Sequence, residues 1–434
     1  PASKPARQVM SRLFSGKLKP MCQHLAAAFG ITWAGLLAHA DGLPANPSVQ
    51  AGAVRFDTSD ASRLRITQTS GKAIIDWEQF SIARGSSVQF IQPSSAAIAL
   101  NRVTGTQESR IDGSVLANGQ VWLLNPNGVL IGRSGEVQAA GFLATTLAID
   151  QRDFIEGRFR FSARDGAQGI IGNEGAIRAA TGGYAVLSGR QVSNDGLISA
   201  RLGHVVLGAA STMTLDLVGD QLLGFALSGP VAALPADGRA VITNSGRIEA
   251  AGGHVVLSAR AATNIMTSVI NTSGVIDATS VNEVNGVIVL DGGNSGTVNV
   301  AGTLDASGLS AGQTGGTVRL AGDTLQIRDG ARIDVRGDAG GGAIYAGGGW
   351  QGADIDGRLA SVRLTIDSGA VLDASAVRKG TGGTVVAWTD TGNASSRTTV
   401  RGVPSGAVNA LLTCSRSATI LPLGAPLATS SRTL

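Results

Sequence analysis

A short glycine-led phrase recurs along the chain and limits the folds that it can adopt. Each copy places a turn before a short β-rich run, and the aligned glycines are Gly175, Gly196, Gly246, Gly274 and Gly302. A second phrase of the same kind begins at Gly183, Gly203, Gly253, Gly286, Gly316 and Gly383. Each unit therefore carries at least two short strands separated by Gly, Asn or Asp turns.

The spacing of these phrases predicts a solenoid. Steps of 21 and 28 residues without helical periodicity are typical of coils that bury one face against their neighbours. Leucine-rich repeats have a similar length, but their LxxLxLxxN framework is missing. A parallel β-helix fits better, because Val, Ile and Leu would fill a shared interior while Asn and Gly occupy the turns. We therefore predict an all-β chain folded as a parallel β-helix.

Two regions depart from the regular spacing. The step from Gly196 to Gly246 is 50 residues, which suggests two coils. The second of them would be degraded into the segment 217–239, which reads as a loop or an excursion outside the coil. Residues 41–160 are less periodic but equally strand-like, with the alternation of a half-buried sheet. Because the terminal coils of a solenoid are atypical and shield its end, we expect residues 41–160 to form a β-rich N-terminal cap.

The charge distribution argues against a nucleic-acid partner. The chain has a formal net charge of +4 and a pI near 9.4, values that alone would suggest binding to phosphates. Five basic residues and no acid lie in residues 1–40, and four arginines and no acid follow Asn393, so the body between them has a net charge of −5. Residues 41–393 therefore lack the excess of positive charge that is typical of a surface that binds nucleic-acid phosphates.

The first forty residues have the layout of a signal peptide. A basic stretch precedes the uncharged run 21–40, which ends in the small residues Ala38 and Ala40 around His39. We predict export by the Sec translocon with cleavage before Asp41; the alternative is an uncleaved membrane anchor. Only Cys22 and Cys414 are present, so a mature chain that begins at Asp41 has no intramolecular disulfide and must rely on a large continuous core.

Three segments carry a resemblance to a known family. They are residues 73–82 (AIIDWEQFSI), 88–105 (VQFIQPSSAAIALNRVTG) and 111–137 (IDGSVLANGQVWLLNPNGVLIGRSGEV). In these segments the chain resembles the N-terminal secretion domain of two-partner-secretion exoproteins of the filamentous haemagglutinin type.

The resemblance implies a right-handed parallel β-helix that crosses the periplasm of a Gram-negative bacterium and leaves through a TpsB-type outer-membrane barrel transporter. It implies four parts: a signal peptide (1–40), a secretion domain (41–290), β-helix stalk coils (291–393) and a non-matching tail (394–434). The tail contains no coil phrase and no acid, which is typical of a frameshifted or disordered end.

The box Asn125-Pro126-Asn127-Gly128 matches the NPNG element of this family. Proline fixes φ ahead of Asn-Gly, which tolerates a positive φ, so the box predicts a rigid turn between strands. We expect the turn to place Asn127 in the positive-φ region, and two roles remain open for the box: shaping this turn, or contacting the transporter. The family's second box, NPNL, is not visible in the chain.

Motifs for catalysis and metal binding are weak. Gly308–Gly312 (GLSAG) matches a nucleophile elbow, but no histidine follows His254. The acids of the coil phrases, Asp277, Asp305, Asp334 and Asp373, recur periodically and do not converge as in polysaccharide lyases. His204 and His254 share the phrase GHVVL, so stacked coils could in principle align them as metal ligands. They lie 50 residues apart without a cysteine partner, so we expect a surface or coil-edge role. We predict no enzymatic activity, no metal and no cofactor.

Arg336-Gly337-Asp338 forms an integrin-type tripeptide. Short matches are frequent by chance in a chain with 61 glycines, so a coil turn is the expected role and cell binding is the alternative. On the whole sequence, we predict a secreted exoprotein whose end use is adhesion to a host-cell or bacterial surface receptor. Two alternatives share this N-terminus: the stalk of a contact-dependent growth-inhibition toxin, and an exoprotein of haem acquisition.

Overall fold

The protein is described by a computed structural model. The described residues are 42–166, 169–217, 224–231, 239–260, 268–350, 353, 360–389, 393–396, 399–401 and 410–411. They build three ladders of parallel strands that wind around one apolar interior, together with one small antiparallel sheet outside it. The predicted parallel β-helix is confirmed.

Each ladder forms one face of the helix. The first contains β1 (Ser48–Ala51), β4 (Lys72–Trp77), β6 (Ile98–Val103), β9 (Gln120–Leu124), the C-terminal parts of β11 (Glu136–Thr145) and β15 (Ala176–Gly189), β18 (His204–Ala209), β23 (His254–Ala259), β26 (Val287–Asp291), β29 (Thr317–Ala321), β32 (Ala343–Ala346), β35 (Thr384–Ala387) and β38 (Ala410–Leu411). The second contains β2 (Val54–Asp60), β3 (Arg63–Gln68), β5 (Ser87–Ile91), β8 (Ser114–Ala117), the N-terminal parts of β11 and β15, β17 (Leu197–Ser199), β22 (Arg247–Glu249), β25 (Val275–Asp277), β28 (Thr303–Asp305), β31 (Arg332–Asp334), β34 (Val371–Asp373) and β37 (Thr399–Arg401). The third contains β7 (Ser109–Ile111), β10 (Val129–Ile131), β14 (Ile171–Asn173), β16 (Val192–Asn194), β21 (Ile242–Asn244), β24 (Ser268–Thr272), β27 (Thr297–Val300), β30 (Thr324–Ile327), β33 (Arg363–Ile366) and β36 (Asn393–Ser396).

The aligned glycines stack directly on one another. A Cβ on Gly246 would overlap the carbonyl oxygen of Gly196, and one on Gly196 would overlap that of Gly175. The second phrase forms a similar column, in which Gly253 lies against Gly203 and Gly203 against Gly183. Glycine recurs in both phrases because only a residue without a side chain lets successive coils approach this closely.

The interior is filled by matching apolar residues from each coil. Ile177, Ile198, Ile248, Ile276 and Leu304 lie in register on the second ladder and are fully buried. Such columns supply a continuous apolar core, at about 1.5–3 kcal/mol for each large side chain buried.

Polar residues of the phrases have structural roles at the turns. The buried amides of Asn173, Asn194 and Asn244 form a hydrogen-bonded column, with 2.7 Å and 2.8 Å between successive Nδ2 and Oδ1 atoms. The periodic aspartates each accept the backbone N–H two residues ahead, as when Ser307 N–H donates to Asp305 over 2.9 Å. These carboxylates fix turns by a local side-chain bond, which explains their regular recurrence.

The N-terminal end is closed by two antiparallel pairs. Strand β1 pairs antiparallel with β4, and β2 pairs antiparallel with β3. Regular parallel pairing begins already at β3–β5 and β4–β6, so the cap is much shorter than the predicted 41–160. The alternation that suggested a cap arises on the second ladder, where strands such as β3 and β5 bury only their inner face. On the first ladder, strands such as β6 and β9 are buried on both faces and read as nearly continuous apolar runs.

A four-stranded antiparallel sheet covers part of the outer face of the first ladder, between β4 and β23. It consists of β12 (Ala148–Ile149), β13 (Phe159–Ser162), β19 (Thr212–Asp216) and β20 (Gly224–Ser228), and the helix α1 (Gln151–Glu156) joins its first two strands. Strand β20 belongs to the segment 217–239, which supports the predicted excursion outside the coil. The expected second coil within the step of 50 residues was wrong, because β17 pairs directly with β22 and the extra residues enter the outer sheet. Trp122, Phe154 and Phe161 fill the space between this outer sheet and the coils.

Lys72 attaches the outer sheet to the N-terminal coils. Its Nζ donates to the carbonyl oxygens of Phe154 and Ile155, over 3.0 Å and 2.9 Å, at the C-terminal end of α1. The same Nζ lies 5.2 Å from the ring centroid of Phe159. A cation at this helix end satisfies free carbonyls and favours the helix dipole.

The tail 394–434 was expected to leave the coil pattern. The described strands at this end of the chain nevertheless extend the ladders: β36 the third, β37 the second and β38 the first. Among the described residues, no helix has the length and hydropathy needed to cross a membrane.

Candidate functional site

The NPNG box forms a compact β-turn where the chain passes from β9 on the first ladder to β10 on the third. The backbone N–H of Gly128 donates to the carbonyl oxygen of Asn125 over 3.0 Å and closes the turn. The Oδ1 of Asn125 also accepts the backbone N–H of Asn127 over 2.9 Å. Asn, Pro and Gly occupy the first, second and fourth positions, which is typical of a type I turn.

The expected conformation of Asn127 was wrong. Positive φ falls on Gly128, at 116°, and Asn127 is not among the residues with positive φ. The reason is the turn type: a type I turn keeps both central residues at negative φ, and the residue after them redirects the chain. The box is therefore rigid because of its hydrogen bonds and because of glycine at position 128.

Both asparagine side chains attach the turn to the loop that precedes β7. The Nδ2 of Asn127 donates to the carbonyl oxygen of Gly105 over 2.9 Å. The Nδ2 of Asn125 donates to the carbonyl oxygen of Gln107 over 2.9 Å and to Oγ of Ser109 over 3.0 Å. Asn125 is fully buried, so replacing it would leave the neighbouring polar groups without partners.

The opposite side of the turn packs on the chain that leads into β14. Gly169 N–H donates to the carbonyl oxygen of Pro126 over 3.1 Å, and Val129 N–H donates to that of Ile170 over 3.0 Å. A side chain on Gly169 would overlap the backbone at Gly128. The turn is thus held between the preceding and the following coil.

Pro126 borders a shallow, open cleft beside the outer sheet, with a volume of about 250 Å³ including open solvent. Its apolar wall includes Val103, Leu147 and Ile149, and two arginines flank it. Arg102 pairs with Asp76 over 2.6 Å, whereas Arg164 is exposed and has no ion pair among the residues that the structure describes. The cleft presents apolar surface and one positive charge beside the box.

The signal-cleavage residues Ala38, Ala40 and Asp41 lie outside the described residues.

The integrin-type tripeptide lies within the described residues, and its charged side chains form contacts inside the fold. Arg336 donates to both carboxylate oxygens of Asp334. Asp338, only 7% exposed, pairs with Arg378 over 2.7 Å and accepts Gly312 N–H over 2.7 Å.

These contacts favour the turn role for the tripeptide; cell binding remains an untested prediction. The periodic aspartates stay on successive coils. Over the described part of the chain, no group of three His, Cys, Asp or Glu side chains is placed to hold a metal.

Three parallel ladders around an apolar interior, closed at one end by antiparallel pairs, define a parallel β-solenoid. The chain belongs to the two-partner-secretion family: the family model "TPS secretion domain" matches residues 42–306. The resemblance seen in the sequence is therefore confirmed.

Two kinds of relative accompany this match. The heme/hemopexin-binding protein of Haemophilus influenzae is 33% identical over 261 residues, which cover 58% of this chain and 28% of that protein. The HMW1 secretion domain of Haemophilus influenzae has a similar structure, with a TM-score of 0.71 and 27% identity over 82% of this chain and 98% of that domain. The secretion domain of filamentous hemagglutinin gives a TM-score of 0.41 and 15% identity, over 70% of this chain and 95% of that chain. The chain thus spans about a quarter of the length of its curated relative.

Proposed function

We propose that the secretion domain directs export of this chain through a TpsB-type outer-membrane transporter, after the Sec translocon has delivered it to the periplasm of a Gram-negative cell. The observation that carries the proposal is the match over residues 42–306 to a domain defined by this route. The displayed coils then act outside the cell as a binding surface without enzymatic activity.

The NPNG turn and the cleft beside it are the proposed contact with the transporter. The turn is anchored to both neighbouring coils, so it keeps one shape while a partner approaches. The adjacent cleft offers Pro126, apolar side chains and the charge of Arg164. An apolar segment with a carboxylate would complement this surface.

Export with paired asparagine variants tests this proposal. Asn127→Ala removes two side-chain hydrogen bonds in the box, and Asn118→Ala removes two bonds of similar length to Gln92, elsewhere in the coils. With the cognate transporter present, we expect Asn127→Ala to lower the secreted amount at least about tenfold, while both variants lose similar stability, about 1 kcal/mol per bond. Equal secretion of the two variants would show that the box only shapes the turn and does not contact the transporter.

Charge reversal tests the cleft separately. Arg164→Glu changes an exposed side chain, and Arg84→Glu is the matched control at another exposed arginine. We expect Arg164→Glu to reduce export without altering the melting temperature, because a surface charge contributes to partner recognition more than to folding. If both variants are exported like the parent chain, the cleft takes no part in recognition.

The end use proposed for the exported chain is adhesion, through a receptor on host or bacterial cells. Haem acquisition is the second candidate, and the observation that favours it is the similarity of this chain to a heme/hemopexin-binding protein of Haemophilus influenzae. Binding of the secreted chain to immobilised hemopexin, to haem and to host cells separates the two. Retention on hemopexin or haem without attachment to cells would reject adhesion.

A further inference from the structure

The fold brings His204 and His254 together, although 50 residues separate them in sequence. Strands β18 and β23 are neighbours on the first ladder, and the two histidines lie opposite each other in register. The intervening excursion leaves the coil to join the outer sheet and returns before β21. Their ring centroids are 5.1 Å apart, and the ring planes are inclined by 44°.

This separation suits two imidazoles that share one metal ion. Zn²⁺ binds an imidazole nitrogen at about 2.1 Å, which places the ion about 3.2 Å from the ring centroid. Two centroids 5.1 Å apart then subtend an angle of about 105° at the ion, close to the tetrahedral value of about 109°. The parallel register therefore brings the two rings to a separation that one shared ion could bridge, with rotation of the side chains turning one nitrogen of each ring towards it.

The surroundings of the pair include a positive charge, because Arg319 lies close enough to His254 to act on its imidazole. Metal coordination requires an imidazole nitrogen with a free lone pair. Arg319 also repels a cation, so the site should be weaker than a structural zinc centre with four ligands.

We propose that His204 and His254 form a two-histidine site for a borderline divalent transition-metal ion, with Zn²⁺ or Cu²⁺ as the expected occupants and water completing the coordination. Imidazole suits these metals, whereas Mg²⁺ and Ca²⁺ prefer oxygen ligands. The ion would join the coil before the outer-sheet excursion to the coil after it. This inference does not depend on the proposed route of export.

Titration of the full chain with ZnCl₂ tests the site. The background chain removes every other histidine and cysteine by the substitutions Cys22→Ser, His24→Gln, His39→Gln and Cys414→Ser. Calorimetry on this background should show one Zn²⁺ bound per chain. The unfolding temperature should rise at about 100 µM Zn²⁺, because a ligand of the folded state stabilises it, while Mg²⁺ should have no effect.

Two single variants in this background decide the assignment. His204→Gln or His254→Gln should each weaken Zn²⁺ binding at least about tenfold, because two linked ligands reinforce each other. Circular dichroism without metal checks that each variant folds. Absence of Zn²⁺ binding in the background chain would overturn the proposal, and so would binding that survives in both folded single variants.

Discussion

The indole Nε1 of Trp122 donates a hydrogen bond to the hydroxyl oxygen of Tyr184 over 2.7 Å, in the space between the coils and the outer sheet. The same hydroxyl donates to Oε1 of Gln120 over 2.5 Å. Burial raises the pKa of Tyr184, so the hydroxyl remains protonated and able to donate. This bond connects two strands of the first ladder directly beneath Phe154 and Phe159.

Removing the Tyr184 hydroxyl should therefore weaken the covered face. Tyr184→Phe leaves the buried Trp122 N–H without its acceptor, which costs about 1–3 kcal/mol. Urea unfolding should show this loss, whereas Tyr345→Phe, at a half-buried position on a later coil, should lose less than about 0.5 kcal/mol. Equal losses of unfolding free energy in the two variants would mean that the hydrogen bond from Trp122 to Tyr184 does not stabilise the fold.

A methyl group in the glycine column should be poorly tolerated. Gly246→Ala places a Cβ against the carbonyl oxygen of Gly196, where only backbone could move. We expect a loss of about 1–3 kcal/mol or more. Gly71→Ala is the control, because a Cβ there has open space around it. Thermal unfolding of both variants checks the prediction, and a Gly246→Ala chain as stable as the control would contradict the close stacking of coils.

Acid should destabilise the chain through His254. Burial, aided by Arg319, lowers its folded-state pKa below 6.5, so the unfolded state binds the proton more readily. The contribution of neutral His254 to the free energy of unfolding is therefore fully present above pH 6.5 and is lost as the pH falls towards the folded-state pKa. Two groups act on His254: His204 on the preceding coil, and Arg319 on β29, two coils further along the ladder. Protonation of His254 adds positive charge beside both.

Urea unfolding between about pH 5 and 7.5, with a metal chelator present, measures this effect. The slope of stability against pH should become shallower in His254→Gln, which cannot take up the proton. His204→Gln is the companion variant, because it removes the neighbouring imidazole and leaves the burial of His254. An unchanged slope in His254→Gln would assign acid sensitivity to another group.

Disruption of the tripeptide should affect folding more than cell attachment. Asp338→Glu keeps the charge but displaces the carboxylate from Arg378 and Gly312. We expect a small loss of stability and unchanged attachment to host cells. Arg378→Ala is the control, since it breaks the same ion pair outside the tripeptide. Attachment that is lost in Asp338→Glu but kept in Arg378→Ala would make Arg336-Gly337-Asp338 the adhesive site.

The sequence predicted those features that require the same residue type at the equivalent position of each coil. Gly196 and Gly246 could be aligned because close backbone contact excludes every side chain. The turn at Pro126 was evident because proline and asparagine have defined turn positions, although the sequence did not distinguish Asn127 from Gly128 as the residue with positive φ.

Features made by distant contacts were not predictable in this way. The outer sheet depends on contacts such as that between Trp122 and Phe159, and its strands alternate like those of the coils. The proximity of His204 and His254 was concealed because the excursion between them adds residues without adding a coil.

The stacked glycines also bear on how such a chain can change over evolutionary time. Gly246 lies against Gly196 much as Gly196 lies against Gly175, although 50 residues separate the first pair and 21 the second. The contact depends on which coils are adjacent and not on the length of the loops between them. Loops can therefore be lengthened into new surfaces, and whole coils can be gained or lost, while the spacing between adjacent coils is preserved.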